Sequence, residues 1–213
     1  MMDIKMTREF IQKLPKTDLH VHLDGSVRID TIIDLAKQFK IKLPTLDPDE
    51  LRDLIVCGDH TESLEDYLSG FGIVNLVLQN KEGLRRAAYE LAEDAAKENV
   101  RYMEVRYSPI LHTNKGLKLT EISQAVIDGL KQGERDFGVK TAVIICGLRN
   151  MDPTTSVKLA ELAIAFKNKG VIGFDLAGGE YNNPAKDHKE AFDLSLKNNL
   201  NITIHAGEAY GPE

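Results

Sequence analysis

The chain has 213 residues, 42% of them hydrophobic and 28% charged, which is typical of a soluble globular protein. Its formal net charge of −6 argues against a nucleic-acid ligand, because proteins that bind a phosphate backbone carry a basic face. No apolar run approaches the ~20 residues that span a bilayer, no signal peptide is recognisable, and the two cysteines lack metal-site spacing; the sequence therefore predicts a reduced, cytoplasmic protein without a membrane partner.

Short β-type segments alternate with long helical segments along the chain, as judged from their hydrophobic periodicity. Strands are predicted at 17–23, 100–109, 140–148, 170–178 and 201–208. Helices are predicted at 28–39, with Ser26 as the N-cap, and at 82–99, 120–137, 152–170 and 186–199. Residues 40–80 interrupt this alternation with additional helical material.

Alternating strands and helices predict one α/β domain over residues 1–213, with parallel strands and helical crossovers. Five strands could form a complete, open, doubly wound sheet. They could equally form the first five-eighths of a (β/α)8 barrel, which needs eight strands and typically ~250 residues. In both arrangements functional groups collect at the carboxyl ends of the strands.

Histidines mark two of these strand ends. His20 and His22 project from the same face of the first strand, because side chains alternate along a strand, and Asp24 follows in the loop. His205 ends the fifth strand, three residues before Glu208. A lone histidine is more often packed or solvent-exposed. Three neutral imidazoles at neighbouring strand ends favour a zinc site with an open position.

The other ionisable residues of interest have weaker patterns. His60, His112 and His188 are predicted to be surface residues, with only His112 near the functional face. Glu104 and Arg106 share a face of the second strand and are predicted to form an internal ion pair.

Four segments in chain order, TDLHVHLDGS, EVRYSP, GFDLAGGE and ITIHAGE, together resemble the adenosine deaminases of the amidohydrolase superfamily. HxH alone is only moderately specific, whereas HVHLDG followed by FDLAG and HAGE is highly specific. The resemblance covers essentially the whole chain and implies a (β/α)8 TIM-type barrel of the metal-dependent hydrolase type, with strands 1–5 present. The PCxxC and HxE signature of the unrelated cytidine-deaminase fold is absent.

The resemblance implies one zinc ion per subunit, with His20, His22 and His205 as ligands. A single ion is favoured because the fourth strand, VIGFDLAGGE, lacks the lysine typical of binuclear relatives. Zinc would provide hydroxide near neutral pH for attack on C6 of the purine. Glu208 is implied as the catalytic acid that protonates purine N1.

Substrate contacts also follow from the resemblance. His22 is expected to contact the substrate, Asp24 to bind the ribose 5′ hydroxyl, and the Gly178 backbone to contact the purine edge. The insertion at 40–80 is expected to form a lid over the site. The lid residues would be Leu64, Tyr67, Leu68 and Phe71. Their helical spacing fits an ordinary helix core equally well.

The implied function is hydrolytic deamination of adenosine and 2′-deoxyadenosine to inosine and ammonia in purine salvage, with a small purine nucleoside as the partner. The family's strand-6 histidine and two strand-8 aspartates have no counterpart in residues 1–213, so we expect an N-terminal part of a longer enzyme that is inactive alone. Two alternatives stay open: deamination of another 6-aminopurine such as adenine, whose deaminases typically carry Glu at the Asp24 position, and a non-catalytic fragment with half a site.

Overall fold

A computed structural model describes residues 6–56, 58 and 63–209, apart from the side chain of Glu65. Cys57 and His60 lie outside the described residues. The described residues form one five-stranded sheet, and every neighbouring pair of its strands is parallel. The strands are β1 (Lys16–His22), β2 (Val100–Tyr107), β3 (Lys140–Leu148), β4 (Val171–Ala177) and β5 (Asn201–Ile202).

Helices connect the strands and cover the sheet. They are α1 (Arg8–Lys13), α2 (Ile29–Phe39), α3 (Pro48–Ile55), α4 (Leu64–Val77), α5 (Lys81–Lys97), α6 (Leu119–Phe137), α7 (Pro153–Phe166) and α8 (Lys189–Lys197). The predicted helices are therefore present, and α3 and α4 account for the extra helical material at 40–80. In the part of the chain that the structure describes, no helix combines the length and the apolar character needed to cross a membrane.

The order of the strands in the sheet decides between the two predicted architectures. It runs β1-β2-β3-β4-β5, the same as in the chain. A doubly wound sheet reverses its strand order at a switch point, whereas a (β/α)8 barrel adds each new strand beside the last one. The prediction of a TIM-type barrel arrangement with five strands is confirmed.

Burial explains why the central strands read as continuous apolar runs. β3 and β4 are buried along most of their lengths, since the sheet is covered on the helical side and its other face lines the barrel interior. β5 is shorter than the predicted strand at 201–208. Its pairing nevertheless continues, because the amide of Thr203 donates to the Phe174 carbonyl at 3.0 Å and that of His205 donates to the Leu176 carbonyl at 3.0 Å. His205 is thereby held in register with the end of β4.

The start of α2 differs from the prediction. Ser26 does not cap this helix; its hydroxyl donates to the His22 carbonyl at 2.6 Å, and Arg28 occupies the N-cap position without a side-chain cap. Five other helices of the described residues begin with the expected cap, in which a side-chain oxygen accepts a first-turn N–H. These caps are Thr7 of α1, Asp47 of α3, Ser63 of α4, Asn80 of α5 and Asp152 of α7.

Two histidines predicted at the surface are buried instead. His188 is 2% exposed; its Nδ1 lies 2.8 Å from the Ser156 hydroxyl and its Nε2 lies 3.2 Å from the Arg149 carbonyl. His112 is fully buried near the Tyr107 ring, and neither ring nitrogen has a hydrogen-bond partner among the described residues. Burial lowers the pKa of His112 to about 4. The charged residues around His188 predicted exposure, but Ser156 of α7 and the Arg149 carbonyl contact its ring.

We expect His112 to make the protein acid-labile. Its pKa is about 4 when folded and about 6.5 when unfolded, so the unfolded state binds more protons between these values. The contribution of neutral His112 to the free energy of unfolding is fully present above about pH 6.5 and is lost as the pH falls toward 4. His112→Phe should remove about 2 kcal/mol of the difference in unfolding free energy between pH 7.5 and pH 5. Urea unfolding at both pH values measures this, and equal pH dependence in variant and wild type would contradict it.

Candidate active site

A cavity of about 490 Å³ lies at the carboxyl ends of the strands, under α4. This volume is within the roughly 300–1,000 Å³ of small-molecule sites. The residues expected to be functional from the sequence all line it: His20, His22, Asp24, Leu64, Tyr67, Leu68, Phe71, Gly178, His205 and Glu208. The parallel sheet thus brings together residues that are far apart in the chain.

The three histidines form a compact cluster on β1 and just after β5. Nε2 of His205 lies 2.9 Å from Nε2 of His20 and 3.1 Å from Nε2 of His22. Three nitrogens that converge on one another cannot all be satisfied by shared protons, since each N···N contact needs one donor and one acceptor. Candidate ligand atoms of these residues all lie within 4.8 Å of one another. The cluster therefore fits a metal ion held by three imidazoles.

The electrostatics of the cluster favour neutral imidazoles. Burial lowers the pKa of His22 to about 4, with further contributions from the neighbouring His205, His20 and Arg106. Burial also lowers the pKa of His20, assisted by Arg106 and His205. Both rings are therefore neutral at physiological pH, which is the form that binds a metal.

A buried carboxylate on β4 supports the third histidine. Oδ2 of Asp175 lies 3.0 Å from Nδ1 of His205, with imperfect hydrogen-bond alignment, and accepts from Nη1 of Arg106 at 2.7 Å. Its Oδ1 accepts from the Leu176 amide at 2.8 Å. Burial acts to raise the pKa of Asp175, but the adjacent His205 ring and the positive charge of Arg106 outweigh it, and the pKa is lowered. Asp175 is therefore an ionised carboxylate beside Nδ1 of His205.

The sequence had assigned no role to Asp175. The available signal was one acid inside the apolar strand VIGFDLA, where an unpaired carboxylate would be costly. The predicted ion pair between Glu104 and Arg106 is wrong: Arg106 pairs with Asp175, and Glu104 accepts from the Tyr102 hydroxyl at 2.9 Å.

Asp24 lies in the loop after β1 and is 4% exposed. Burial raises the pKa of its carboxyl to about 6, although backbone N–H groups of Asp24 and Gly25 act to lower it. Its Oδ1 has no hydrogen-bond partner within the described parts of the chain. A buried carboxylate oxygen in a cavity wall is a natural acceptor for a ligand hydroxyl.

Gly178 directly follows β4, and Glu208 lies in the loop after β5. Gly178 has a φ of 88°, a conformation that favours glycine, and a Cβ atom there would lie 2.9 Å from Oδ1 of Asn150. Glu208 lies on an exposed loop, and its backbone amide donates to Oε2 of Glu180 at 2.9 Å.

The apolar stripe of α4 forms one wall of the cavity. The Phe71 ring lies 6.2 Å from the His22 ring and 5.3 Å from the Tyr67 ring, both as edge contacts. Tyr67 is 39% exposed, unlike an ordinary core residue. The stripe predicted from the sequence therefore contacts the histidine cluster and does not serve helix packing alone.

Known proteins with similar sequences are described as adenosine deaminases. The sequence profile described as adenosine deaminase matches residues 15–213. A protein described as adenosine deaminase from Clostridium botulinum strain 657 is 43% identical over 93% of this chain and 60% of its own length. A probable adenosine deaminase from Dictyostelium discoideum is 43% identical over 96% of this chain and 26% of its own length. The chain thus spans less than two thirds of the length of these curated relatives.

Solved structures share the fold at lower identity. An amidohydrolase from Burkholderia ambifaria with bound zinc has a TM-score of 0.85 at 27% identity, covering 97% of this chain and 56% of its own. An adenine deaminase from Arthrobacter aurescens has a TM-score of 0.82 at 27% identity, covering 91% and 57%. Arabidopsis ADAL complexed with IMP has a TM-score of 0.82 at 28% identity, covering 96% and 61%.

Proposed function

Because this chain belongs to the adenosine deaminase family, we propose that the full-length protein is a zinc-dependent hydrolase that deaminates adenosine and 2′-deoxyadenosine. Adenosine would give inosine and ammonia, a reaction of purine salvage. The observation that carries the proposal is the convergence of three histidine Nε2 atoms in a cavity that also presents Asp24 and Glu208.

His20, His22 and His205 would hold one zinc ion. When bound, zinc lowers the pKa of a coordinated water and so provides hydroxide near neutral pH. The chain's own contribution is to present three imidazoles with their Nε2 atoms close together. Asp175 supports this arrangement, since a carboxylate 3.0 Å from Nδ1 favours the tautomer with its proton on Nδ1 and the lone pair of His205 on Nε2. The structure with bound zinc among the similar proteins supports the choice of metal.

Glu208 would deliver a proton to N1 of the purine. Adding a nucleophile to an aromatic ring is unfavourable unless the charge that develops on N1 is neutralised in the same step, so a carboxylic acid facing N1 lowers the barrier. Glu208 lines the cavity, three residues after His205. The short connection through Ala206 and Gly207 keeps acid and metal ligand on the same side of the substrate, and Gly207 adopts the φ of 82° that this turn needs.

The remaining cavity residues would bind and enclose the nucleoside. Oδ1 of Asp24, which has no hydrogen-bond partner among the described residues, would accept a hydrogen bond from the ribose 5′ hydroxyl. The Gly178 backbone would contact the purine edge. His22 would contact the substrate beside the metal. α4 would act as the lid that excludes water, with its apolar stripe against the ligand. The lid residues are Leu64, Tyr67, Leu68 and Phe71.

Adenine deamination is the second candidate, because the adenine deaminase from Arthrobacter aurescens shares the fold. Two observations favour the nucleoside. The relatives described as adenosine deaminases are 43% identical to this chain, compared with 27% for the adenine deaminase. The buried Asp24 also offers an acceptor that free adenine, which lacks a ribose, would leave unused. A non-catalytic protein that only binds zinc is the alternative from outside the enzymes.

The test is a substrate panel assayed with full-length protein and stoichiometric zinc. Ammonia release and the absorbance change should be fastest with adenosine and 2′-deoxyadenosine, and slower with adenine and AMP. A clear preference for adenine would contradict the assignment to nucleosides. Bound zinc without turnover of any member of the panel would select the non-catalytic alternative.

Asp24→Ala should harm the nucleoside reaction selectively. A hydrogen bond between a carboxylate and the ribose hydroxyl is worth about 1.5–3 kcal/mol, so kcat/KM for adenosine should fall about 10–150-fold. The residual activity on adenine should change little, which makes the second substrate the internal control. Equal losses on adenosine and adenine would remove the ribose role from Asp24.

A further inference from the structure

One side chain accepts three consecutive backbone hydrogen bonds from the loop after β5. Oε2 of Glu180 accepts from the amides of Glu208 at 2.9 Å and Ala209 at 2.8 Å, and Oε1 accepts from the Gly207 amide at 3.1 Å. The Glu180 side chain is 11% exposed. A carboxylate that accepts several N–H groups makes charge-assisted hydrogen bonds, which are stronger than neutral ones.

A buried arginine links this carboxylate to the histidine cluster. Nη2 of Arg149 donates to the His205 carbonyl and lies 3.7 Å from Oε1 of Glu180. Nη1 donates to the Asn183 carbonyl at 3.2 Å, and the side chain is only 4% exposed. Arg149 therefore holds the loop at its first residue, while Glu180 holds it at positions 207–209.

We propose that Arg149 and Glu180 are positioning residues that clamp residues 205–209, so that the metal ligand His205 and the acid Glu208 face the same point. Glu180 orients Glu208 through its backbone, and Arg149 fixes His205 through its carbonyl. This inference rests on the proposed deaminase function of the site. Neither residue touches the reacting atoms in the proposed arrangement.

The clamp holds the part of this loop that pairing within the sheet does not hold. β5 ends early, and the residues that follow His205 are exposed, so sheet pairing holds His205 but not Glu208. Gly207 adds backbone freedom at the turn. A proton donor must lie within hydrogen-bond reach of its target, and a displacement of about 1 Å can cost about 100-fold in rate. The fixed amides of the loop restrict the positions that Glu208 can reach.

Arg149 and Glu180 hold different parts of the loop, so replacing Glu180 should affect only the part that Glu180 holds. His205 is also held by Asp175 and by its amide bond to Leu176, neither of which involves Glu180. Glu180→Gln should therefore release Glu208 without releasing the metal ligand. The amide of glutamine keeps one acceptor oxygen but turns an NH2 group toward backbone donors.

The experiment compares full-length Glu180→Gln with Glu161→Gln, the same change at an exposed position of α7. We expect Glu180→Gln to lower kcat on adenosine about 10–100-fold, with KM and zinc affinity each within about threefold of wild type. In the metal-free protein, amide hydrogen exchange of the peptide containing 207–209 should accelerate about tenfold or more, while exchange in β3 stays unchanged. Glu161→Gln should match wild type in every measurement.

Several results would overturn the clamp. Unchanged exchange at 207–209 would show that Glu180 does not hold the loop. Accelerated exchange with unaltered kcat would show that the loop is held but that holding it does not serve the reaction. Thermal melting would detect whether Glu180→Gln unfolds. In that case Glu180→Asp replaces it, because the shorter acid cannot reach all three amides. The same measurements of hydrogen exchange and kcat then apply. A wild-type protein inactive on every purine would refute the proposed function, while the exchange measurement would still test the loop contact.

Discussion

Replacing Glu208 with glutamine should lower kcat on adenosine by about 10²–10⁴-fold while zinc stays bound. Glutamine has nearly the same shape and can still donate a hydrogen bond, but it cannot release a proton to N1. Glu208 lies on an exposed loop. Among the described residues, its side chain forms no hydrogen bond to the ring nitrogens of the three histidines. The change should therefore affect the chemical step and leave the metal centre intact. Steady-state kinetics with adenosine, together with zinc content by elemental analysis, measure both parts.

The control for Glu208→Gln is again Glu161→Gln, which should keep wild-type turnover and zinc. Thermal unfolding of both variants should match wild type within about 0.5 kcal/mol, as is usual for surface substitutions. A Glu208→Gln protein that turns over adenosine at close to the wild-type rate would assign the proton to another group. Loss of zinc together with activity would show instead that Glu208 acts through the metal site.

Replacing His205 with alanine should abolish zinc binding and deamination together. Its Nε2 is the atom that both other histidines approach, at 2.9 Å and 3.1 Å, so its removal leaves two imidazoles on one strand. Asp175 would keep its ion pair with Arg106 at 2.7 Å, which limits the damage to the fold. Competition with a chelating dye measures the zinc dissociation constant, and the substrate assay is run with and without added zinc.

A graded variant and a matched control separate metal binding from general loss of structure. Asp175→Asn should weaken zinc binding about 10–100-fold, because the amide no longer fixes the orientation and basicity of His205. His112→Phe changes another buried histidine, outside the cluster, and should bind zinc as wild type does. Wild-type zinc affinity in His205→Ala would place the metal elsewhere. Equal zinc loss in His112→Phe would show that the centre only reports overall folding.

Local sequence pattern was sufficient for the elements and for much of the candidate site. The period of two along β1 predicted that His20 and His22 share a face, and the structure brings their Nε2 atoms to within 3.1 Å of that of His205. The stripe of α4 was visible as helical spacing. These properties depend on residues a few positions apart, whose relative directions follow from the geometry of one strand or one helix.

Sequence pattern failed where the environment of a residue is made by distant segments. His112 and His188 have polar or charged neighbours in the chain, yet both are buried. Their burial depends on segments that are distant in the sequence, so the residues beside them in the chain do not indicate it. Arg106 was assigned to Glu104, two positions away, although its partner Asp175 lies 69 residues further along the chain. A two-residue spacing places side chains on the same face but does not show which group opposes them across the sheet.

The sequence by itself determined the alternation of strands and helices, and it identified the three histidines proposed as metal ligands and the strand ends at which they lie. Only the tertiary structure decided the strand order, and with it the barrel arrangement, the proximity of Asp175 to His205 and the hydrogen bonds from the amides of residues 207–209 to Glu180. The physical reason is the range of the interactions. Periodicity and capping act over a few residues, whereas register between strands and contacts between loops arise only when the whole sheet has assembled.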